Sequence, residues 1–168
     1  AMTLVTNGLD CFPKSRIVLL KQFTYEGFVF FTNYLSEKGK AFKANPKVAL
    51  SFFWPNLERQ VIIKVMAEKI APNLSDGYYE SRPLGSQLGA IVSPQSQVIP
   101  NREYIENQLK ELEASSQGTS LQRPTHWGGY LVRPISVEFW QGRPNRLHDR
   151  LRYSVQNNFS WKLERLAP

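Results

Sequence analysis

The hydrophobic pattern changes period twice along the chain. From residue 2 to residue 70, apolar residues fall in short runs: "MTLVT" (2–6), "SRIVLLKQF" (15–23), "FVFFTNY" (28–34), "KVALSFFW" (47–54) and "RQVIIKVMAEKI" (59–70). Runs of this length, rich in β-branched and aromatic residues and bounded by turn-formers, predict strands. "TYEG" is expected to fold the second and third into a β-hairpin, and "PNLE" separates the last two. "SEKGKAFKANP" (36–46) interrupts them as a short helix, with Ser36 placed to cap its start and Asn45-Pro46 to stop it. The spacing then becomes helical. "LSDGYYESRP" (74–83) offers Ser75 as an N-cap and Pro83 as a stop, "GSQLGAIVS" (85–93) reads as another short helix, and "NREYIENQLKELEASS" (101–116) is the clearest. In this last helix Asn101 caps the start, Tyr104, Ile105, Leu109 and Leu112 form one stripe, and Glu106 and Lys110 stand four apart as an ion pair. A polar loop, "SQGTSLQRPTH" (116–126), leads back to strands: "WGGYLVRP" (127–134), "SVEFWQG" (136–142), "RLHDRLRYSV" (146–155) and "SWKLERLAP" (160–168). Strands, helices and strands again, joined by tight turns, predict one α+β, mainly β domain over residues 1–168. The final strands are expected to complete the first sheet.

With 168 residues, 42% hydrophobic and 21% charged, the chain has the composition of a folded domain. No apolar run reaches the ~18 residues of a membrane-spanning helix. "AMTLVTNGLD" lacks the basic and then apolar pattern of a signal peptide. Cys11, the single cysteine, has no partner for an internal disulfide and no histidine near it in sequence, which fits a reducing, cytoplasmic setting. A net charge of +7 invites nucleic acid. The basic residues are scattered, however, a pattern as well suited to small phosphorylated ligands. His126 and His148 lie far apart, and no Cys/His cluster, nucleophile elbow or glycine-rich phosphate loop occurs. Metal, hydrolase and dinucleotide readings fall away on those grounds.

Three polar clusters remain. In "SRPLGSQ", Arg82 and Ser86 are four apart and Tyr78 lies four before Arg82; a helix continuing across Pro83 would put guanidinium, hydroxyl and phenol on one face, a donor set for phosphate. Spacing does not separate this from an arginine that merely closes a helix. Arg16 and Lys21 flank the run "IVLL"; five apart, they face opposite sides of a regular strand. In "FWQGRPNRLHDR" (139–150), a strand through "RLHDRLRY" would align Arg146, His148, Arg150 and Arg152 on one face beside Phe139 and Trp140. Four such groups on one face repel one another unless an anion lies there, although a basic edge strand is the plainer reading. Asp149 falls on the other face and is read as holding the strand in place.

The segments "RIVLLK", "FFTNY", "LERQV", "SRP-GSQ-GA", "VSPQSQVI", "HWGGY", "EFWQGRPNRLHDR" and the terminal "W-LERLAP" occur in collinear order over nearly the whole chain. Together they resemble the pyridoxamine 5′-phosphate oxidase family. The resemblance implies a Greek-key-like, FMN-binding split β-barrel with helices packed around it, working as a homodimer with FMN at the subunit interface. It implies oxidation of pyridoxamine or pyridoxine 5′-phosphate to pyridoxal 5′-phosphate, with hydride passing from the substrate C4′ to the flavin N5 and O2 reoxidising the flavin to give H2O2. No metal, nucleic acid or membrane enters this picture. By motif, FMN would meet the stretch Arg16, Ile17, Val18, Leu19, Leu20 and Lys21, then Phe31, Thr32 and Lys38. Further along, Gln60, Gln95, Ser96, Trp140 and Arg150 would also hold it. The substrate phosphate would meet Lys21, Tyr78, Arg82 and Ser86, while Arg146, Leu147 and His148 would line the substrate pocket, with Arg146 and His148 as the catalytic pair.

The sequence departs from the family pattern in three places. Glu37 stands where the family usually has arginine beside Lys38, and would weaken FMN binding if it pointed inward. Val65 replaces a usual glycine, which suggests a local change of backbone. The family's segment before the first strand is absent. The alternative these features raise is a relative that binds FMN or pyridoxal 5′-phosphate without efficient turnover.

Overall fold

A computed structural model describes residues 1–116 and 120–168, so the expected polar loop lies partly outside the described residues. Nine strands and four helices follow one another in the order β1 (Met2–Asn7), β2 (Pro13–Val18), β3 (Gln22–Thr24), β4 (Gly27–Asn33), α1 (Glu37–Ala44), β5 (Lys47–Trp54), β6 (Arg59–Lys69), α2 (Pro72–Glu80), α3 (Leu84–Val92), α4 (Arg102–Ser115), β7 (Trp127–Gln141), β8 (Asp149–Val155) and β9 (Trp161–Leu166). The nine strands among the described residues form one sheet in the order β2-β1-β5-β6-β7-β4-β3, with β8 added to β7 and β9 to β8. The path does not close into a barrel: β2 and β3 are its ends. None of the described helices is long and apolar enough to cross a membrane. By internal contacts the chain divides into two compact units, a first of residues 1–30, 41–68 and 131–168 and a second of residues 31–40 and 69–130.

The first unit is built on alternation. In β1 every second side chain turns inward, burying Met2, Leu4 and Thr6. The antiparallel register sets Leu4 opposite Leu50 on β5, and Leu50 opposite Ile63 on β6. All three are at most 1% exposed, and burial of such a side chain is worth about 1.5–3 kcal/mol. A one-residue slip would turn the whole row outward, so the register is strongly specified. Val65 pairs with Val48 in the same unbroken ladder. The backbone change expected at Val65 is therefore not seen: a β-branched residue fits a pleated, buried position as it stands.

Several predicted boundaries shift. "SRIVLLKQF" is not one strand: β2 ends at Val18, opposite Met2 of β1. The chain then crosses Leu19–Lys21 and re-enters the sheet as β3. The hairpin is β3–β4, closed at Thr24 opposite Gly27, while β2 belongs to β1. Gly27 has φ +148°, and a Cβ there would lie 2.3 Å from the Val132 carbonyl oxygen, so glycine is required. "WGGYLVRP" and "SVEFWQG" are one strand, β7, since the fixed φ of Pro134 is compatible with extended chain.

The second unit gathers helices. Asn101 caps α4 as expected, accepting the Tyr104 N–H at 2.9 Å. Glu106, however, pairs with Arg102 at 2.6 Å rather than with Lys110, the guanidinium being the stronger partner for a carboxylate. Ser36 accepts the Gly39 N–H at 3.3 Å and so caps α1. Helix α2 starts at Pro72, three residues before the predicted cap, because proline suits the first helical position. Ser75 is instead buried within α2, where its hydroxyl accepts the Gly129 N–H at 3.1 Å.

Candidate functional site

Helix α2 ends at Glu80, and Pro83, with ψ 143°, opens α3. The continuous helix that would have aligned Tyr78, Arg82 and Ser86 does not exist, since a proline disfavours helical backbone in the residue before it. Arg82 and Ser86 are brought together another way. They line one cavity of about 250 Å³ in the second unit, with Asn33, Ser93, Gln95 and Trp127. The Arg82 guanidinium lies 4.5 Å from the centre of the Trp127 ring, a cation–π contact. Tyr78 stacks on Phe31 at 3.8 Å, and Phe31 stacks on Trp127 at 5.5 Å, so an aromatic layer backs the guanidinium. Nη1 of Arg82 is buried without a hydrogen-bond partner. Burial pulls the Arg82 pKa down, an effect that the Tyr78 and Tyr79 hydroxyls oppose. A buried guanidinium nitrogen with no acceptor, beside a serine hydroxyl in an open cavity, is a place for an anion.

Beside it, residues distant in sequence converge. Thr32 on β4 donates its hydroxyl to the Gln95 side-chain oxygen at 3.1 Å, and Lys38 on α1 donates to the same oxygen at 2.9 Å. Ser96 follows in a left-handed conformation, φ 72°. Hydroxyl, ammonium and amide at one point form a donor set that fits the phosphate of a flavin mononucleotide. Glu37 is exposed and occupies the first turn of α1, where negative charge complements the helix dipole.

The first unit holds the rest. Arg16 donates to the Thr6 hydroxyl at 2.7 Å and the Lys14 carbonyl at 2.9 Å. Ile17 and Leu19 are exposed, Val18 ends β2, and Leu20 and Lys21 lie beyond it, with the Lys21 N–H donated to the Val29 carbonyl at 2.9 Å. Because the strand breaks at Val18, the opposite-face geometry expected of Arg16 and Lys21 does not apply. Gln60 lies on β6 opposite Phe53.

In "FWQGRPNRLHDR" the strand begins only at Asp149. Asn145 and Arg146 both adopt left-handed backbone, φ 59° and 62°, in a short 3₁₀ turn, Pro144–Arg146. The predicted shared face of Arg146, His148, Arg150 and Arg152 is therefore broken. Arg146 and Leu147 are exposed on the turn, while His148 packs its ring 4.8 Å from that of Trp140. Arg150, opposite Trp140 in the ladder, bonds Glu138 at 2.8 Å and the Ala167 carbonyl at 2.9 Å. Arg152 meets Glu164 at 3.0 Å. Of the four cations expected to conflict, Arg150 and Arg152 are met by carboxylates on neighbouring strands. Trp127, Asn33 and Ser93 were not among the expected site residues; "HWGGY" was noticed only as a motif, and nothing in its spacing marks Trp127 as a support for Arg82.

Comparison with known proteins agrees with this picture. Residues 1–116 match the family described as pyridoxamine 5′-phosphate oxidase, and residues 127–168 match the pyridoxine 5′-phosphate oxidase C-terminal dimerisation region. The chain is 64% identical over 168 residues to a pyridoxine/pyridoxamine 5′-phosphate oxidase of Flavobacterium psychrophilum, covering 78% of that protein. It is 53% identical over the same length to its counterpart in Cupriavidus pinatubonensis, covering 79% of it. The structure of PhzG from Burkholderia lata 383, in complex with tetrahydrophenazine-1-carboxylic acid, superposes with a TM-score of 0.93 at 28% identity, over 100% of this chain and 82% of that one. An FMN-binding protein of Nostoc punctiforme, related to pyridoxamine 5′-phosphate oxidase, shares the fold at a TM-score of 0.78 and 15% identity, over 99% and 86%. The architecture is that of the split barrel.

Proposed function

Because this chain belongs to the pyridoxamine 5′-phosphate oxidase family, we propose that it is an FMN-dependent oxidase making pyridoxal 5′-phosphate from pyridoxamine or pyridoxine 5′-phosphate. The observation that carries the substrate class is Arg82: a buried guanidinium nitrogen without a partner, in a cavity it shares with Ser86. That arrangement calls for a dianionic phosphate. Tyr78 and Lys21 are assigned to the same phosphate by motif. Thr32, Lys38, Gln95 and Ser96 would hold the flavin phosphate, with Arg16 to Lys21, Phe31, Gln60, Trp140 and Arg150 completing its site. A flavin held there would supply the acceptor for the two electrons leaving the substrate C4′, with O2 as the final oxidant. The protein's own part is positioning. Arg82 and Ser86 anchor one end of the substrate, which converts encounter into a held geometry. Arg146, Leu147 and His148 would face its ring, with the Arg146 guanidinium stabilising negative charge there and His148 hydrogen-bonding it. The match to a dimerisation region supports a homodimer, with FMN at its interface and the protein acting in the cytoplasm.

The test is direct. Purified protein should take up FMN with a change in visible absorption, then consume O2 and form pyridoxal 5′-phosphate when given either phosphorylated vitamer. Failure to bind FMN would overturn the reading. Oxidation confined to unphosphorylated ring acids, such as the ligand of PhzG, would overturn the substrate class alone. FMN binding without turnover would favour the weakened relative.

A further inference from the structure

We propose that Asp149 is a positioning residue: by bridging Arg143 and Arg165 it holds the Arg143 backbone N–H against His148 and fixes that imidazole as its Nε2–H tautomer, a hydrogen-bond donor rather than a base. The Arg143 N–H lies 3.1 Å from His148 Nδ1. A backbone N–H can only donate, so Nδ1 must offer its lone pair, and the proton of the neutral ring is then on Nε2. The Trp140 ring at 4.8 Å restricts rotation of the imidazole.

The contact spans a seven-residue excursion, 142–148, that leaves β7 at Gln141 and rejoins the ladder at Asp149, the residue opposite. Two left-handed residues, Asn145 and Arg146, make that reversal possible, and such backbone persists only where its surroundings hold it. Asp149 does the holding. One carboxylate oxygen takes Arg143 Nε at 2.8 Å, and the other takes Arg165 Nη1 from β9 at 2.7 Å. The two arginines keep the Asp149 carboxyl below its usual range, so it remains charged at neutral pH. Gly142 closes the base of the loop with its N–H on the Glu58 carbonyl at 2.8 Å.

The catalytic consequence rests on the function proposed above. His148 meets the substrate through an N–H, so the atom it faces is a hydrogen-bond acceptor with a lone pair to offer. In a vitamin B6 phosphate the phenolic oxygen, on the ring carbon next to the one that bears C4′, is an acceptor of that kind. Removal of a proton by His148 is not available in this tautomer.

The experiment is histidine ¹⁵N NMR on the purified protein, before and after flavin saturation, with no substrate present. There are two histidines, and His148→Asn assigns the signals. His126 is an internal control, since its Nε2 contacts the Ala90 carbonyl at 3.2 Å. The expected result is a protonated Nε2 and a bare Nδ1 at His148. In Asp149→Ala and Arg143→Ala the His148 signal should shift toward mixed tautomers while His126 stays unchanged, and Asp149→Glu should restore it in part. For the same variants kcat/KM should fall about 3- to 10-fold, the worth of one neutral hydrogen bond. A protonated Nδ1 in the unaltered protein overturns the proposal. So does an unchanged His148 signal in Arg143→Ala, which keeps the backbone N–H and tests the brace even if Asp149→Ala fails to fold. A protein with the expected tautomer that oxidises no B6 phosphate would instead overturn the proposed function and leave the brace standing.

Discussion

Arg82 in the second unit and Arg143 in the first each follow the end of a regular element, yet their surroundings treat them oppositely. Arg82 lies over an indole ring in a cavity, with one nitrogen buried and unbonded. Arg143 is exposed and tied to a carboxylate at 2.8 Å. The contrast is between these two sites and not between all arginines of the two units, since Arg102 and Arg123 in the second meet Glu106 and Asp76. In the first, Arg150 and Arg165 also meet carboxylates, from Glu138 and Asp149. Arg152 likewise meets Glu164 through Nη2, although its Nε has no partner. Charge neutralised from within can orient a loop or a strand. Charge held on an aromatic layer without a counter-ion is poised to bind one. The difference separates a positioning apparatus from a binding apparatus in one chain.

The largest effect is expected from removing the unpaired cation. Arg82→Ala should raise KM for the phosphorylated vitamers about 10- to 100-fold, in line with the ~1.5–3 kcal/mol of a hydrogen bond to a charged group. Oxidation of the unphosphorylated vitamers should be little changed. Steady-state kinetics with both sets checks this, and an equal loss for both would erase the contrast. Next comes the packing beneath the aromatic layer. A Cβ on Gly128 would lie 2.2 Å from the Tyr34 hydroxyl oxygen, so Gly128→Ala should cost about 1–3 kcal/mol by overpacking, measured by urea unfolding.

The pH limits of stability should divide in the same way. Burial, and then the neighbouring Tyr34, push the Tyr130 pKa from 10.0 to about 12. A raised folded pKa means that this stability is full below pH 10.0 and is lost as pH rises toward about 12. Tyr130→Phe should therefore flatten the alkaline loss. On the acid side, hydrogen bonds from Arg143 and Arg165 lower the Asp149 pKa from 3.8, and those from Lys162 and Arg152 lower that of Glu164 from 4.5. Their stabilisation is present above these ordinary values and lost as pH falls through the depressed ones. Asp149→Asn should flatten the acid limb and leave the alkaline limb alone; movement of both limbs would show that the division is false. The smallest effect belongs to α4. Arg102→Ala removes an exposed i,i+4 pair and should cost no more than about 0.5 kcal/mol by thermal unfolding.

Much of this was legible beforehand where the cause is local. The strand at "MTLVT", the Asn101 cap and the Asn45-Pro46 stop depend on neighbours in sequence, and they stand where they were expected. The reading failed where a distant partner decides. Nothing in the run "SRIVLLKQF" marks its break at Val18; β2 and β3 on either side of the break pair with different strands, β1 and β4. Ser75 looked like a cap but is buried, bonded to Gly129 fifty-four positions away. Tyr78, Arg82 and Ser86 were joined by helical spacing, but two helices and a proline separate them, and Trp127 is what supports the arginine.

The sequence by itself determined which residue types were available, which stretches are strands or helices, and, through collinear motifs, the family. Those properties follow from period, local backbone chemistry and composition, which any short window contains. Only the tertiary structure decided which charges are satisfied and which are not. Arg82 and Arg143 read alike in sequence, because the groups that distinguish them are an indole forty-five positions from one and a carboxylate across a reversed loop from the other. Burial and pairing belong to contacts between distant segments, and a charge acquires its function from them.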